Sequence, residues 1–402
     1  MDIRKVTPVE RIQYNGICTT VFFDMQRTDI RTQLKNPQDH LRDEHDDPCW
    51  GAFDEKGQLQ SAIIVNSYNM MMNGREVKMG GIGGVVTRPE SRGKGLIRRI
   101  MDKAFPAMVE EAGQTFSFLY PFSYSYYRNF GYEMCLDYNK VNIPMEEING
   151  YPYPKNIQPF EPGDDMTPVM EIYKEFTQNR NLAIVRDKDN WEYILNRDPY
   201  KDLKFTFVNY DENGVANAYV LYNVQKSGNY DNRLQIRELC WRTKEGLHNI
   251  FGFFAKLSSE FSSVEWNAPC DVNVHALFSE AYNASWSINA AGMNRVVNVK
   301  AGLATLRAPS GSGKITLDVT DAYWKDNSGK YTIQWDAGNL TVAKGTSENV
   351  DMAVSVETLA QLVTGYMTPC EVALKKDVVT YSNHLALEQL FPKQRLFIVE
   401  RF

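Results

Sequence analysis

The sequence predicts two α/β units in tandem followed by an α+β domain, and three observations lead there. An apolar run, a glycine-bearing basic turn and a helical pattern follow one another between Met79 and Phe105. The same strand and helix order returns in the second third of the chain, and from about Asn294 the pattern changes to short alternating strands. The boundaries expected from these changes are 1–150, 151–293 and 294–402.

Taken in order, residues 6–34 read as a helix-rich opening with Ile17, Val21, Phe22 and Met25 on one face, before a charged loop reaching Asp47. Trp50 to Phe53 and Leu59 to Tyr68 read as strands around Asp54-Glu-Lys-Gly57, a turn whose glycine suits a left-handed backbone. Asn73-Gly74 is a second turn, and a central strand starts near Val77 with β-branched Ile82, Val85 and Val86. Leu96, Ile97, Ile100, Met101, Ala104 and Phe105 then recur at three- and four-residue spacing, the mark of a helix face. Thr115 to Leu119 reads as a buried strand. The thirteen residues Tyr120 to Tyr132 hold five tyrosines, which by composition alone fit an aromatic core segment as well as a reactive one.

Between the central strand and its helix lies Arg92-Gly93-Lys94-Gly95. The first N–H groups of a helix lack intrahelical partners and carry partial positive charge, so this end attracts phosphate. Gly93 and Gly95 let an anion approach the main chain, and Arg92, Lys94, Arg98 and Arg99 add charge to a chain of net charge −6. A dinucleotide fingerprint is excluded because Arg98 stands three positions after Gly95. Gly311-Ser-Gly-Lys314 fails as a P-loop: Ala308 replaces the first glycine, and Ile315 replaces the magnesium-binding hydroxyl.

Proline-rich residues 151–162 separate the second unit, where Tyr210-Asp-Glu-Asn-Gly214 echoes Phe53-Asp-Glu-Lys-Gly57. Leu234 to Trp241, Leu247 to Phe261 and Ser263 to Trp266 repeat strand, helix and strand. The phosphate loop is not repeated. Arg242-Thr243-Lys244-Glu245-Gly246 has one glycine and a carboxylate, so one cofactor site per chain is expected, in the first unit. The third domain is expected to use strands Val296 to Val299, Lys314 to Val319, Tyr331 to Trp335 and Asn339 to Val342, with turns at Asn327-Ser-Gly329 and Ala337-Gly338. A helix from Ser355 to Tyr366 follows, capped by Ser355, striped by Val356, Leu359, Ala360 and Val363, and ending near Gly365. The closing run Arg395 to Phe402 reads as a strand.

Hydrophobic residues make up 43% of the chain, yet no apolar run approaches the roughly 20 residues of a membrane span. With no N-terminal signal pattern, a cytoplasmic protein without a membrane role is expected. The six cysteines form no Cys-x-x-Cys pair, which fits reduced thiols and gives no zinc site. His40 and His45 lie among Asp39, Asp43, Glu44, Asp46 and Asp47, which reads as a solvated acidic loop rather than a metal centre. Acidity disfavours a nucleic-acid partner, and acidic residues such as Asp24 and Glu400 favour a cationic acceptor.

Val85-Val86-Thr87-Arg88-Pro89 and Arg92-Gly93-Lys94-Gly95-Leu96 resemble the acetyl-CoA-binding motif of GNAT N-acetyltransferases. Tyr127-Arg-Asn-Phe-Gly-Tyr132 is similar to the way such chains continue. Glu90 departs from the usual Gln or Arg, so its carboxylate is expected to point away from the pyrophosphate. Two GNAT units, the second degenerate, ahead of an α+β domain stopping at an aromatic residue resemble the Eis family across essentially all 402 residues.

That resemblance implies a sterol-carrier-protein-like third domain and an acetyl-CoA-dependent N-acetyltransferase acting directly in a ternary complex, without a metal. The acceptor would be an aminoglycoside, polyamine or lysine-type amine, and the assembly a homohexamer. It implies Tyr127 as proton donor to the departing thiolate and the Phe402 α-carboxylate as base. Val85, Val86 and Thr87 would line the pantetheine, and Gly93, Lys94, Gly95, Leu96, Ile97 and Arg98 would cradle the pyrophosphate with Arg92 beside them. Phe122 and Ser123 would flank the cofactor. Two alternatives remain at this point: a longer-chain acyltransferase of the N-myristoyltransferase kind, and a non-catalytic CoA- or lipid-binding protein.

Overall fold

The computed structural model describes residues 1–22, 30–35, 47–227, 231–345 and 349–402. Met25, Asp24 and the acidic loop from His40 to Asp46 lie outside the described residues, while Asp47 at its end accepts from the Ser67 N–H at 2.7 Å.

The first three quarters of the chain builds one sheet from β1 (Asp2–Lys5), β2 (Cys49–Phe53), β3 (Leu59–Met72), β4 (Arg75–Thr87), β5 (Phe116–Leu119), β6 (Glu133–Pro144), β7 (Ile157–Phe160), β8 (Ile184–Val185), β9 (Lys204–Tyr210), β10 (Ala216–Ser227), β11 (Asp231–Trp241), β12 (Ser263–Pro269) and β13 (Ser285–Val296). The order is β1-β2-β3-β4-β5-β13-β6-β12-β11-β10-β9-β7, with β8 paired to β3. Turn chemistry sets the hairpins. Asn73 and Gly74 both have positive φ, 52° and 78°, as a two-residue hairpin turn requires. The two echoed turns share their bonding: Asp54 Oδ1 accepts from the N–H of Lys56 and Gln58, and Asp211 Oδ1 from Asn213 and Val215.

Sequence order and sheet order part company at β13. This strand, late in the second unit, pairs antiparallel with both β5 and β6 of the first, while β6 pairs on its other edge with β12. The two units therefore share strands rather than merely abutting.

A second sheet, β16-β15-β14-β17-β18, comprises β14 (Ser312–Thr320), β15 (Gly329–Asp336), β16 (Asn339–Gly345), β17 (Met352–Ser355) and β18 (Val379–Thr380). The Val356–Thr364 helix is capped by Ser355, which accepts from the Thr358 N–H, and is stopped by Gly365 at φ 71°. It is buried on nearly every side because one core joins the two sheets across it, with Leu359 and Val363 beside Ile315, Ile333, Phe116 and Phe118. The buried Arg295–Asp321 ion pair, at 2.6 Å, ties β13 to the third domain. The Walker-like Gly313-Lys314 lies in β14, where a Cβ on Gly313 would strike the Trp335 ring.

Three expected elements change. The apolar run Val296 to Val299 is no strand: Val296 ends β13, and Asn298 accepts from the Ala301 N–H to start a helix, Val299–Leu303. The helix expected to reach Phe261 is Lys244–Ala255. Arg395 to Phe402 forms no strand; its one β-bridge among the described residues is Leu396 to Asn181, and side-chain contacts of Phe397, Glu400 and Phe402 hold the rest. Among the described residues, no helix is long and apolar enough to cross a membrane, and no group of three or more His, Cys, Asp or Glu is placed to hold a metal.

Candidate active site

The site begins where two parallel strands separate. β4 and β5 pair only from Met79–Phe116 to Gly81–Phe118, and β4 then runs on to Thr87 without β5. A bulge falls in this free stretch. Ala62 faces Val86 and Ile64 faces Gly83, so Gly84 and Val85 together oppose Ile63, with Gly84 at φ 53°. The Val86 side chain is buried against Ala62 and Leu59, and its carbonyl accepts from the Ser61 hydroxyl. Thr87 shares a hydroxyl contact of 2.7 Å with Ser61. Of the three residues expected to line pantetheine, Val85 and Thr87 are therefore half-buried, while Val86 offers only main chain.

The phosphate loop lies past Thr87. Gly93 and Gly95 have φ of 74° and 67°, and a Cβ on either would meet nothing within 4 Å. Gly95 is the N-cap of the Leu96–Glu110 helix and supplies no side-chain cap. Leu96 and Ile97 are buried in the core beneath, so only their main chain faces the loop, whereas Arg92, Lys94 and Arg98 are exposed. Glu90 is 67% exposed and faces Arg88 at 4.0 Å. The corresponding helix of the second unit is closed: the Thr243 hydroxyl accepts from the Gly246 N–H at 3.0 Å. This contrast is physical, since a side-chain cap takes the N–H that an anion would use.

Tyr127 sits in the Tyr124–Arg128 helix, whose N-cap Ser123 accepts from the Tyr126 N–H. Its ring is 2% exposed among Phe122, Tyr126 and Tyr132, and burial raises the phenol above its ordinary value. The group therefore stays protonated through neutral pH. Phe122 is 72% exposed and packs at a tilt against Tyr126, while the Ser123 hydroxyl is occupied by capping.

Phe402 reaches the same strand from the far end of the sequence. Its ring lies over Gly81 and its main-chain carboxyl carbon against Gly83: a Cβ on these glycines would stand 2.7 and 2.6 Å away, respectively. Tyr68, Phe118 and Tyr120 surround the ring at centroid distances of 5.4, 6.2 and 5.8 Å. Ile82, between the two glycines, packs in the cluster containing Tyr127. Alternate residues of a strand face opposite sides, so Tyr127 and Phe402 approach the opening from opposite faces.

The tail is held by a buried charge cluster. Arg186, with its side chain 2% exposed, donates from Nη1 to Glu238 at 2.9 Å and from Nε to Glu400 at 2.7 Å. Burial alone would depress its pKa, but Glu238 and Glu400 more than reverse this. The Tyr219 hydroxyl also donates to Glu238. Phe397 is buried between Tyr173 and Phe176. The Glu400 carboxylate, expected to welcome a cation, is thus already committed to Arg186. Arg186→Met should destabilise the fold by about 3–5 kcal/mol, the usual effect of stranding a buried charge. A urea midpoint equal to wild type would refute this.

Residues 2–135 match an acetyltransferase (GNAT) domain family, and residues 182–297 match a second acetyltransferase (GNAT) domain family. Together the two matches cover more than half of the chain. The chain belongs to the GNAT acetyltransferases. Residues 299–399 match the sterol carrier protein domain family, which completes an Eis-like organisation.

The same fold recurs in solved structures. A probable N-acyltransferase from Enterococcus faecalis has TM-score 0.83 at 22% identity, covering 98% of this chain and 97% of that one. A GCN5-related N-acetyltransferase from Anabaena variabilis has TM-score 0.84 at 20% identity, and Eis1 from Mycobacterium abscessus 0.79 at 16%, each covering 100% of both chains. No curated protein matches the sequence significantly.

Sequence reasoning missed Gly81, Gly83 and Arg186. The glycines had a visible signal, four in the five residues Gly80 to Gly84, since bare backbone in a strand often marks close approach by another group. Arg186 had none, because its partners lie 52 and 214 positions away.

Proposed function

We propose that this GNAT enzyme transfers an acetyl group from acetyl-CoA to the amine of a small-molecule or lysine-type acceptor, with Tyr127 as acid and the Phe402 carboxylate as base. The observation that carries this reading is the convergence of the Phe402 carboxyl group, at Gly83, and the Tyr127 cluster, through Ile82, on the stretch of β4 that β5 leaves open. GNAT domains generally use acetyl-CoA, and the residues at the loop suit it. Gly93 and Gly95 leave room for the pyrophosphate, the uncapped helix end supplies N–H groups, and Arg92, Lys94 and Arg98 supply charge.

In this reading Val85, Val86 and Thr87 guide the pantetheine by their main chain, with Phe122 and Ser123 at its flank. The Phe402 carboxylate removes a proton from the acceptor ammonium. The amine then attacks the thioester carbonyl, a C–N bond forms, the C–S bond breaks, and Tyr127 gives its proton to the leaving sulfur. At their ordinary values a phenol near 10 and a thiol near 8.5 are closely matched, and the burial that raises the Tyr127 phenol keeps its proton in place until the thiolate departs. We assign the cofactor site and Tyr127 to residues 1–150, a pocket-building role to 151–293, and the Phe402 carboxylate to 294–402.

The proposed assembly is a homohexamer in the cytoplasm. Trp286 and Ile288 on the outer part of β13, 51% and 61% exposed, are apolar residues that a subunit contact would cover.

Thiol release from acetyl-CoA against a panel of amines tests the function, with longer acyl-CoAs as competitors. Amine-dependent release is expected, with acetyl preferred; preference for a long chain would move the assignment to the other acyltransferase class. Gly93→Glu should abolish measurable acetyl-CoA binding by calorimetry, because its carboxylate enters the phosphate position. The fold should persist with about 1–2 kcal/mol of backbone strain, since φ is positive and the space is open. Unchanged affinity would remove the pyrophosphate assignment.

A further inference from the structure

A cavity of about 320 Å³ is lined by Tyr68, whose ring centroid lies 5.4 Å from that of Phe402, and is walled by β9, β10 and β11 of the second unit. Part of its lining is apolar, including Phe205, Leu221 and Tyr222. The charges around it do not balance. Arg186, Arg197, Lys204, Arg237 and Arg401 line it against only two carboxylates among the described residues, Glu238 and Glu400.

Those two carboxylates are both spent on Arg186, and Arg197 lies 3.9 Å from Asp202. Arg237 and Arg401 have no such partner among the described residues. Arg237 donates to the neutral Gln235 side chain at 3.3 Å, and Arg401 lies over the Tyr120 ring at 4.1 Å. The two are close enough to act on each other: partial desolvation, and then the charge of Arg401, push the Arg237 pKa down. They also stand between this cavity and a smaller one that both line, where Asp137 accepts from the Tyr366 hydroxyl at 2.6 Å. Arg401 precedes Phe402 in the chain, so one member of the pair is a single residue from the proposed base, and Arg237 shares both cavities with it.

We propose that the acceptor carries an anionic group, a carboxylate or phosphate, besides its amine, and that Arg237 and Arg401 hold that group. This rests on the transfer reading above and narrows its acceptor. A polycation entering the cavity would meet two uncompensated guanidiniums at close range, whereas an amine with an anionic group satisfies both and leaves its ammonium for the Phe402 carboxylate. The apolar wall suits a hydrocarbon or aromatic body on the same molecule.

The test uses matched amines with and without the anion: tyrosine against tyramine, lysine against cadaverine, phosphoethanolamine against ethanolamine. The anionic member of at least one pair should have the higher kcat/KM by roughly tenfold or more, as charge-assisted pairing gives. The first two pairs against the third separate carboxylate from phosphate. Arg237→Gln and Arg401→Gln should each erase most of that preference through KM of the anionic member alone. A loss shared equally by both members would instead mean that the tail had moved, and would overturn the assignment. So would wild-type preference for the anion-free member of every pair.

Calorimetry with the products N-acetyltyrosine and N-acetyltyramine, and with O-phosphoethanolamine and its N-acetyl form against N-acetylethanolamine, needs no turnover. If no amine is acetylated yet an anionic compound binds better and loses its advantage in both variants, the transfer reading fails and the anion site stands. If amines are acetylated but no anionic compound is favoured in rate or binding, the anion site fails and the transfer reading stands.

Discussion

Tyr127→Phe is expected to lower turnover by about 10²- to 10⁴-fold while leaving acetyl-CoA affinity nearly unchanged. The substitution removes one hydroxyl from a ring 2% exposed among Phe122, Tyr126 and Tyr132, and those ring contacts survive it. The fold should therefore persist, and the loss should fall on the chemical step, where the departing thiolate no longer receives a proton. Tyr126→Phe should be mild, since that ring is only half-buried and packs beside Tyr127.

The pH profile gives a second handle on the same residue. Burial raises the Tyr127 phenol above its ordinary value, so the acid form persists at neutral pH and is lost only as pH rises beyond about 10. In wild type the alkaline fall of kcat should lie above that value. Reversed effects of the Tyr126 and Tyr127 substitutions, or an alkaline limb near neutrality, would assign the acid elsewhere.

Lengthening the chain past Phe402 by one glycine should remove most transfer, on the order of 10²-fold or more, while sparing acetyl-CoA binding and melting temperature. The Phe402 carboxyl carbon lies against Gly83, and one extended residue carries a carboxylate about 3.5 Å further on, leaving an uncharged peptide group in its place. Stability should hold because Phe397, Glu400 and the Phe402 ring keep their contacts with Tyr173, Arg186 and Tyr68. The control is the same glycine added before Met1, which should do nothing. Full turnover in the C-terminally lengthened protein would place the base elsewhere, and the Glu400 carboxylate, bonded to Arg186, is poorly placed to take over.

Local chemistry made much of the fold legible. The Asp54–Gly57, Asn73–Gly74 and Asp211–Gly214 turns follow from residues that accept left-handed backbone or bond their own main chain. The Leu96–Glu110 helix follows from apolar spacing, and the contrast between an open Gly95 end and a closed Thr243 end follows from which residue caps. The third-domain helix was legible from Ser355 and Gly365 for the same reason.

What the sequence by itself determined is therefore whatever a few neighbouring residues decide: turns, caps, helix faces, the basic glycine loop and the tyrosine segment after it. Tertiary structure alone decided the insertion of β13 between β5 and β6, the joining of Arg186 to Glu238 and Glu400, and the seating of Phe402 on Gly81 and Gly83. A strand's pattern tells which face is buried but not which of many edges it will pair with. An arginine's partner is likewise chosen by the fold that excludes water around it, so a cluster drawn from residues 186, 238 and 400 exists only once the chain has brought them together.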